Sequence, residues 1–252
     1  MIPSPPTGLT NQRTLGPAAL WSDDKRAFVQ RLFTSIAPRY DWFNRLVSFG
    51  LDQRWRTVAL RRGQVDPGTD VLDVCAGTGD LAMLCAERQH GSGSTIGMDL
   101  NLAMLQRAHS KSAACHRQVA WIQGDAELLP FATGTFDRVT IGFSTRNLSD
   151  LAVGLGEMVR VLRPHGRLVI LETGRPSNPL VWVGYLCFLF TVARVIGVLL
   201  TGRWWPFTYL ARSVRHFLTP AQMLEQLRSV QTEPEYVPLT WGLASLYVAV
   251  KR

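Results

Sequence analysis

The stretch from residue 70 to residue 88 constrains the fold of this 252-residue chain more than any other. A short apolar run, 70–74, leads into a glycine loop at 77–79, and a segment with helical spacing of apolar residues follows at 81–88. This succession fits the loose G-x-G-x-x-G/A pattern, in which a parallel strand ends at a tight turn that opens a helix. The pattern predicts a nucleotide-like ligand at the carboxyl end of that strand.

Strand-like and helix-like segments alternate through the hundred residues that follow. Further strands are predicted at 95–98, 119–123, 137–142 and 167–172, helices at 101–110 and 150–162, and a closing helix and strand after Thr219-Pro220 and at 245–250. Alternation at this pitch is typical of a parallel, doubly wound sheet with helices on both faces.

The charge of the chain suggests an anionic partner. Lys and Arg number 27 against 19 Asp and Glu, a formal charge of +8, which suits nucleic acid, a phosphate-bearing substrate or a membrane surface without choosing among them. The four cysteines form no CxxC pair, so no zinc site and no disulfide scaffold are predicted, and we expect a reducing compartment. Residues 1–21 lack the basic start and apolar run of a secretory signal.

Acidic residues around the glycine loop favour S-adenosylmethionine (SAM) over a dinucleotide. Asp73 lies in the strand before the loop and Asp80 at the start of the helix, where a diphosphate needs positive potential. SAM has no phosphate, and its sulfonium and ammonium groups attract carboxylates. Asp99, 22 residues after Gly77, is placed to accept hydrogen bonds from ribose hydroxyls. The Asp125 carboxylate and the backbone N–H of Ala126 could form hydrogen bonds with the edge of an adenine.

Residues 173–224 have a different character, because they include no Asp or Glu. Five arginines and nine aromatic residues lie there, and 180–200 has Arg194 as its single charge. That length would span a bilayer, but a charge well inside the run costs about 2.5 to 3.5 kcal/mol on insertion scales. We expect a cap that rests on the membrane, with a single span as the alternative.

Six segments resemble the ubiquinone/menaquinone biosynthesis C-methyltransferase family. They are Val71–Asp80, Gly124–Phe131, Phe136–Asn147, Val161–Glu172, the N-terminal signature Phe33–Asp41 with Asn44 and Ser48–Gly50, and Tyr209–Ser213. The resemblance covers roughly residues 28 to 251 in the family's order, including both flanking signatures. It implies a class I SAM-dependent methyltransferase: an α/β, Rossmann-like, seven-stranded sheet with its last strand antiparallel, a helical lid and an apolar cap.

The resemblance and the spacing together predict the cofactor-binding residues. These are Asp73, Gly77, Thr78, Gly79, Asp99, Leu100, Asp125, Ala126 and Gly142. Gly142 stands where the family has a serine, which removes one polar contact unless Ser144 supplies it.

Composition and the resemblance together divide the chain into parts with expected roles. The expected parts are a flexible arm at 1–21, a helical lid at 22–62, a SAM-binding core at 63–174, an apolar and basic substrate cap at 175–218, and the closing helix and strands at 219–252. The implied reaction is C-methylation of a prenylated quinol, the demethylmenaquinol or the demethylated ubiquinol precursor, by a cytoplasmic protein that contacts the membrane through 180–217. No nucleic-acid partner is expected, and a homodimer stays open.

Three residues are predicted to act on the acceptor. A ring carbon becomes nucleophilic when a neighbouring phenol, which titrates near pH ~10, loses its proton. Arg146 is placed to stabilise the phenolate, Asn147 to orient the quinol oxygen, and Tyr40 to close over the cofactor. The alternative is that Arg146 pairs with an acid such as Asp150 and Asn147 caps the next helix.

Two other functions fit parts of the sequence. Basic charge with aromatics also suits a methyltransferase acting on RNA, or on another lipophilic molecule, and the glycine loop suits an NAD(P)-binding oxidoreductase. The arginines lie among aliphatic runs rather than in a polar groove, which favours the quinol.

Overall fold

A computed structural model describes residues 24–252, so the predicted arm 1–21 lies outside the described residues. Three helices precede the sheet: α1 (Asp24–Ile36), α2 (Tyr40–Val47) and α3 (Leu51–Arg62). A 3₁₀ turn, Ala37–Arg39, separates the first two. Pro38 lies in that turn because proline lacks the N–H that a continuing helix needs.

Seven strands form one sheet. They are β1 (Asp70–Val74), β2 (Ser94–Asp99), β3 (Ala120–Gln123), β4 (Phe136–Gly142), β5 (Leu162–Thr173), β6 (Thr232–Leu239) and β7 (Ala244–Lys251). Their order is β3-β2-β1-β4-β5-β7-β6; β1 to β5 pair in parallel, and β7 is antiparallel to both of its neighbours. The predicted class I architecture, with an antiparallel last strand, is confirmed.

Four helices connect or cover the strands: α4 (Asp80–Arg88), α5 (Leu102–Ala114), α6 (Leu151–Arg160) and α10 (Pro220–Ser229). The central strands are apolar and buried, with Leu72, Ile141 and Ile170 fully enclosed. Because the first four strands run in parallel, their carboxyl ends meet at one edge of the sheet. The loops with the predicted site residues therefore lie next to one another.

Strand β6 is the one strand for which the sequence analysis predicts no range. It contains Pro234 and Pro238, residues that argue against a strand because proline cannot donate to the ladder. In the structure β6 is an edge strand that pairs only with β7, where a missing donor can face outwards.

The acid-free segment forms three helices: α7 (Pro179–Phe188), α8 (Arg194–Thr201) and α9 (Trp205–His216), with a π-helical turn, Leu189–Ala193, between the first two. Residues 179–201 are long and apolar enough to cross a membrane by length and composition. One side of the 179–201 stretch packs against the rest of the protein, since Leu189 and Ala193 are buried and a Cβ at Gly197 would lie 2.4 Å from the Phe207 ring. The other side is open, with Leu180 83% and Leu199 80% exposed.

The helices before the sheet and those of the acid-free segment share a hydrophobic cluster of their own. It joins Leu32 and Ile36 of α1 and Phe43 of α2 to Leu189 and Phe207. Phe43 and Phe207 are in ring contact, with centroids 4.5 Å apart. Helices α1, α2 and α7 to α9 thus form one packed layer.

Candidate functional site

A polar cavity lies at the carboxyl edge of the sheet, between the ends of β1 to β4 and helix α1. Its wall includes seven of the predicted cofactor residues: Gly77, Thr78, Asp99, Leu100, Asp125, Ala126 and Gly142. Residues from four separate strand ends are therefore brought together as the sequence predicts. Tyr40 and Asn147 line the same cavity.

Asp99 occupies the position expected of an acceptor for ribose hydroxyls. Its Oδ2 accepts the Gly77 N–H at 2.8 Å and its Oδ1 accepts the Asn101 N–H at 2.7 Å. Burial raises the pKa of this carboxyl, and the backbone N–H donors oppose the rise. Each oxygen accepts one of these bonds and keeps a lone pair, so the carboxylate can also accept two hydroxyls of a ligand.

Asp73 and Gly79, two of the predicted cofactor residues, lie outside the wall of the polar cavity. Asp73 is buried behind the loop, where its Oδ1 accepts the Thr140 hydroxyl at 2.7 Å, and burial raises its pKa to about 7. Gly79 has φ +85°, and a Cβ there would lie 2.4 Å from the indole of Trp121. Asp73 is therefore packed behind the loop, and Gly79 is packed against Trp121.

The acid at the start of α4 is neutralised by a lysine that the sequence analysis missed. Lys111 Nζ lies 2.5 Å from Asp80 Oδ1 and 2.8 Å from Asp41 Oδ2. Burial by itself would raise the pKa of Asp80, but Arg56 and Lys111 outweigh it and lower the pKa. The predicted repulsion of diphosphate by Asp80 is therefore weaker than its charge alone suggests.

The first two helices touch the cofactor loops directly. The Thr78 hydroxyl donates to Asp41 of α2, and Arg26 of α1 forms an ion pair with Asp125. The predicted adenine-edge carboxylate is thus held by a partly exposed arginine. These contacts place 24–47 over the polar cavity.

A second, apolar cavity of about 490 Å³ lies between helices α1 to α3, the acid-free helices and the loop after β4. Four residues line both cavities: Phe33, Tyr40, Arg56 and Asn147. The two cavities therefore meet at a junction formed by these side chains. Burial raises the pKa of the Tyr40 hydroxyl, so this group stays protonated at neutral pH.

Arg146 lines the apolar cavity and is paired with a buried acid, which is Glu172 rather than Asp150. Asp150 instead caps α6, accepting the Val153 N–H at 3.1 Å. Arg146 Nη1 also donates to the Phe143 carbonyl oxygen at 2.6 Å. The Nε of Arg146 is buried without a hydrogen-bond partner among the described residues.

Asn147 does not cap the following helix. Its Oδ1 accepts the Tyr209 hydroxyl at 3.1 Å, and its buried Nδ2 has no hydrogen-bond partner among residues 24–252. An unsatisfied buried donor costs about 1–3 kcal/mol, and this one lies at the junction of the two cavities. The arrangement suits a ligand oxygen that accepts from Nδ2.

Sequence reasoning missed Asp52 and Arg56, which line the apolar cavity from α3. A Cβ at Gly142 would lie 3.3 Å from Arg56 Nη1, so glycine leaves room for the guanidinium at the place where the family has serine. The i, i+4 spacing of Asp52 and Arg56 was the one available signal, and it is equally typical of a surface ion pair.

Comparison with known proteins agrees with this geometry. The model of the ubiE/COQ5 methyltransferase family matches residues 21–251. The demethylmenaquinone methyltransferase of Deinococcus radiodurans is 38% identical over 229 residues, which cover 91% of this chain and 95% of that protein. The ubiquinone/menaquinone biosynthesis C-methyltransferase UbiE of Geotalea uraniireducens is 37% identical over 239 residues, 90% of this chain and 98% of that protein.

Solved structures are similar at the level of the fold. The magnesium protoporphyrin IX methyltransferase of Synechocystis PCC 6803 with bound SAH has a TM-score of 0.61 at 17% identity, over 91% of this chain and all of that one. A SAM-dependent methyltransferase from Aquifex aeolicus has a TM-score of 0.60 at 16% identity, and the match covers 78% of this chain and 89% of that one. The family match decides against the oxidoreductase alternative, and the chain belongs to the ubiE/COQ5 methyltransferase family of SAM-dependent enzymes.

Proposed function

We propose that this protein transfers the methyl group of SAM to a ring carbon of a prenylated quinol. The observation that carries the proposal is the junction at Tyr40, Arg56 and Asn147, where the cavity with the predicted cofactor residues meets a larger apolar cavity. The names of the relatives support a demethylmenaquinol or the demethylated ubiquinol precursor as the acceptor.

The residues of the polar cavity fit SAM. Asp99 would accept the ribose hydroxyls, and Leu100, Asp125 and Ala126 would surround the adenine. The glycine loop and Gly142 would hold the amino-acid end. When bound, SAM supplies an electrophilic methyl group for in-line displacement.

The apolar cavity would hold the quinol ring at the junction and exclude water from it. Arg146 Nε and Asn147 Nδ2 are buried donors without partners among the described residues, and we assign them to the quinol oxygens. A donor already in place stabilises a developing phenolate without reorganisation. Tyr40 covers the junction, edge-on to Phe33 with ring centroids 5.8 Å apart.

The layer over the cavities has the properties of a lid, a cap and a membrane-contacting surface. Phe49 and Trp241 line the apolar cavity and are 80% and 85% exposed, so they mark its opening. Exposed Leu199 and Trp204 lie in the acid-free segment, and the Arg194 guanidinium stacks on the Trp204 ring at 5.5 Å. Apolar side chains beside arginines suit an anionic bilayer surface, from which a prenyl tail could enter. We therefore place the protein at the cytoplasmic face of a membrane.

Methyl transfer to defined acceptors tests the activity. Purified protein with methyl-labelled SAM is offered demethylmenaquinol and the demethylated ubiquinol precursor in detergent. We expect labelled C-methyl product from at least one quinol, and none from the matching quinones, which have no hydroxyl to ionise. Tight SAM binding without transfer to either quinol would contradict the proposal.

Vesicle binding tests the membrane surface. The variant L199S/W204S is expected to lower the partition onto vesicles of phosphatidylglycerol and phosphatidylcholine at least tenfold, because burying each apolar side chain contributes about 1.5–3 kcal/mol. V153S is the matched control, since Val153 is 46% exposed on α6, away from both cavities. Equal partition of the two variants in a sedimentation assay would refute this surface.

A further inference from the structure

The proposed reaction requires a base that the predicted site residues do not include. A phenol titrates near pH ~10, so at neutral pH the quinol hydroxyl must give its proton to a group in the cavity. Among the described residues that line the apolar cavity, Asp52 is the only carboxylate. It is 3% exposed, in a wall that is otherwise mainly apolar.

The contacts of Asp52 hold its carboxylate in place. Oδ1 accepts the Ser48 hydroxyl at 3.0 Å, and Oδ2 accepts the Gln53 side-chain amide at 2.8 Å. Arg56, one helical turn further along α3, has its Nε 3.8 Å from Oδ2. A buried acid beside an apolar cavity is a candidate for proton transfer.

Arg56 and Arg146 differ in how closely a carboxylate pairs with the guanidinium. Arg146 is in close contact with the carboxylate of Glu172 and with the Phe143 carbonyl. The one ion pair of Arg56 among residues 24–252 is the looser contact with Asp52, and its buried Nε has no hydrogen-bond partner there. Since Arg56 also lines both cavities, its positive charge is available at the junction.

We propose that Asp52 is the general base that accepts the quinol hydroxyl proton, and that Arg56 pairs with the oxygen left negative. The assignment rests on the proposed function. The site then conserves charge: before the transfer Arg56 faces the Asp52 carboxylate, and afterwards it faces the phenolate while Asp52 is neutral. This proton transfer leaves no charge uncompensated in the apolar cavity, which keeps the cost of ionising the ring low.

The proton steps balance. The hydroxyl O–H bond breaks, the proton binds an Asp52 oxygen, and the electron pair stays on the ring oxygen and enriches the adjacent carbon. Once that carbon has taken the methyl group that SAM would supply, with the electron pair of the broken methyl–sulfur bond left on sulfur, its hydrogen leaves as a proton to water, and the C–H pair restores the aromatic ring. The ring oxygen, again negative, takes back the proton held by Asp52. One proton is released in total.

None of the other ionisable groups among the described residues that line the apolar cavity is suited to act as the base. Those that ionise or carry charge are Tyr40 on α2, Arg56 on α3, Arg146 after β4, Tyr185 on α7 and Tyr209 on α9, with Asp80 linked to Asp52 through Gln53. Burial raises the pKa of Tyr185 to about 12 and also raises those of Tyr40 and Tyr209. Their hydroxyls stay protonated and cannot accept a further proton near neutral pH.

The variant D52N tests the assignment, because an amide has a similar shape and cannot accept the proton. We expect kcat to fall at least 100-fold, within the usual range for loss of a general base, with unchanged SAM affinity. The residual rate of D52N should rise about tenfold per pH unit towards the pKa of the quinol (~10), since ionisation in solution then replaces the base. D52E, which retains a carboxylate, should keep the flatter profile of the wild type, and formate should partly restore the activity of D52A.

The control is D66N, which removes an exposed carboxylate paired with Arg88 at 3.4 Å, and its activity should match the wild type. Thermal unfolding and SAM titration establish that each variant is folded. The assignment is overturned if D52N retains activity within threefold of wild type. It is equally overturned if D52N is slow but keeps the wild-type pH profile while D52A is not rescued by formate. Wild-type protein that binds SAM and transfers no methyl to a quinol would overturn the proposed function, and this assignment with it.

Discussion

Replacing Glu172 with alanine is expected to lower the free energy of unfolding by about 3–5 kcal/mol, because it leaves the buried Arg146 without its counter-charge. Glu172 is 1% exposed. Besides the ion pair, its carboxylate accepts the Thr145 hydroxyl and the Thr173 N–H, each at 2.7 Å. The variant thus removes one charge and several hydrogen bonds at the end of β5. Urea denaturation followed by circular dichroism measures the change.

The matched control is E233A, which removes one partner of the exposed Glu233–Arg252 pair at 3.4 Å. An exposed pair contributes less than about 1 kcal/mol, so E233A should unfold close to the wild type. A double variant, E172L/R146M, should recover much of the loss because no unpaired charge stays buried. If E172A costs no more than E233A, the buried pair does not have the role assigned to it.

Replacing Asp99 with alanine is expected to raise the Kd for SAM at least 100-fold. Each hydrogen bond from a ribose hydroxyl to a carboxylate contributes about 1.5–3 kcal/mol, and the half-buried Asp99 can accept two of them. The substitution also removes the acceptor for the Gly77 N–H, which loosens the glycine loop. Isothermal titration with SAM and with S-adenosylhomocysteine gives the affinities.

D137N is the control for Asp99. Asp137 lies near the amino end of β4, where it pairs with Arg163 at 2.6 Å, and it lines neither cavity. Its loss should leave the Kd within twofold of the wild type. D99N, which keeps one side-chain acceptor, should fall between D99A and the wild type. A Kd for D99A within tenfold of the wild type would show that Asp99 does not bind the ribose.

The site divides into residues that local patterns could find and residues that they could not. Asp99 and Asp125 were found because each follows a predicted parallel strand, and parallel strands end at a common edge. Glu172 and Lys111 were missed because their partners, Arg146 and Asp80, are distant in the chain. Such pairs depend on how helices and strands pack, which no short pattern records.

The same division holds for the fold and for the proposed chemistry. Strand–loop–helix alternation, a property of neighbouring residues, was enough to predict the parallel sheet, the glycine loop and the cofactor edge. The strand β6 could not be predicted locally, because its prolines are tolerated only at the edge of the sheet. The junction at Arg56 could not be predicted either, because it forms where α3 meets the end of β4, which is distant in the chain. The sequence alone therefore determined the sheet edge that carries the candidate SAM site, and tertiary packing decided which buried charges line the apolar cavity.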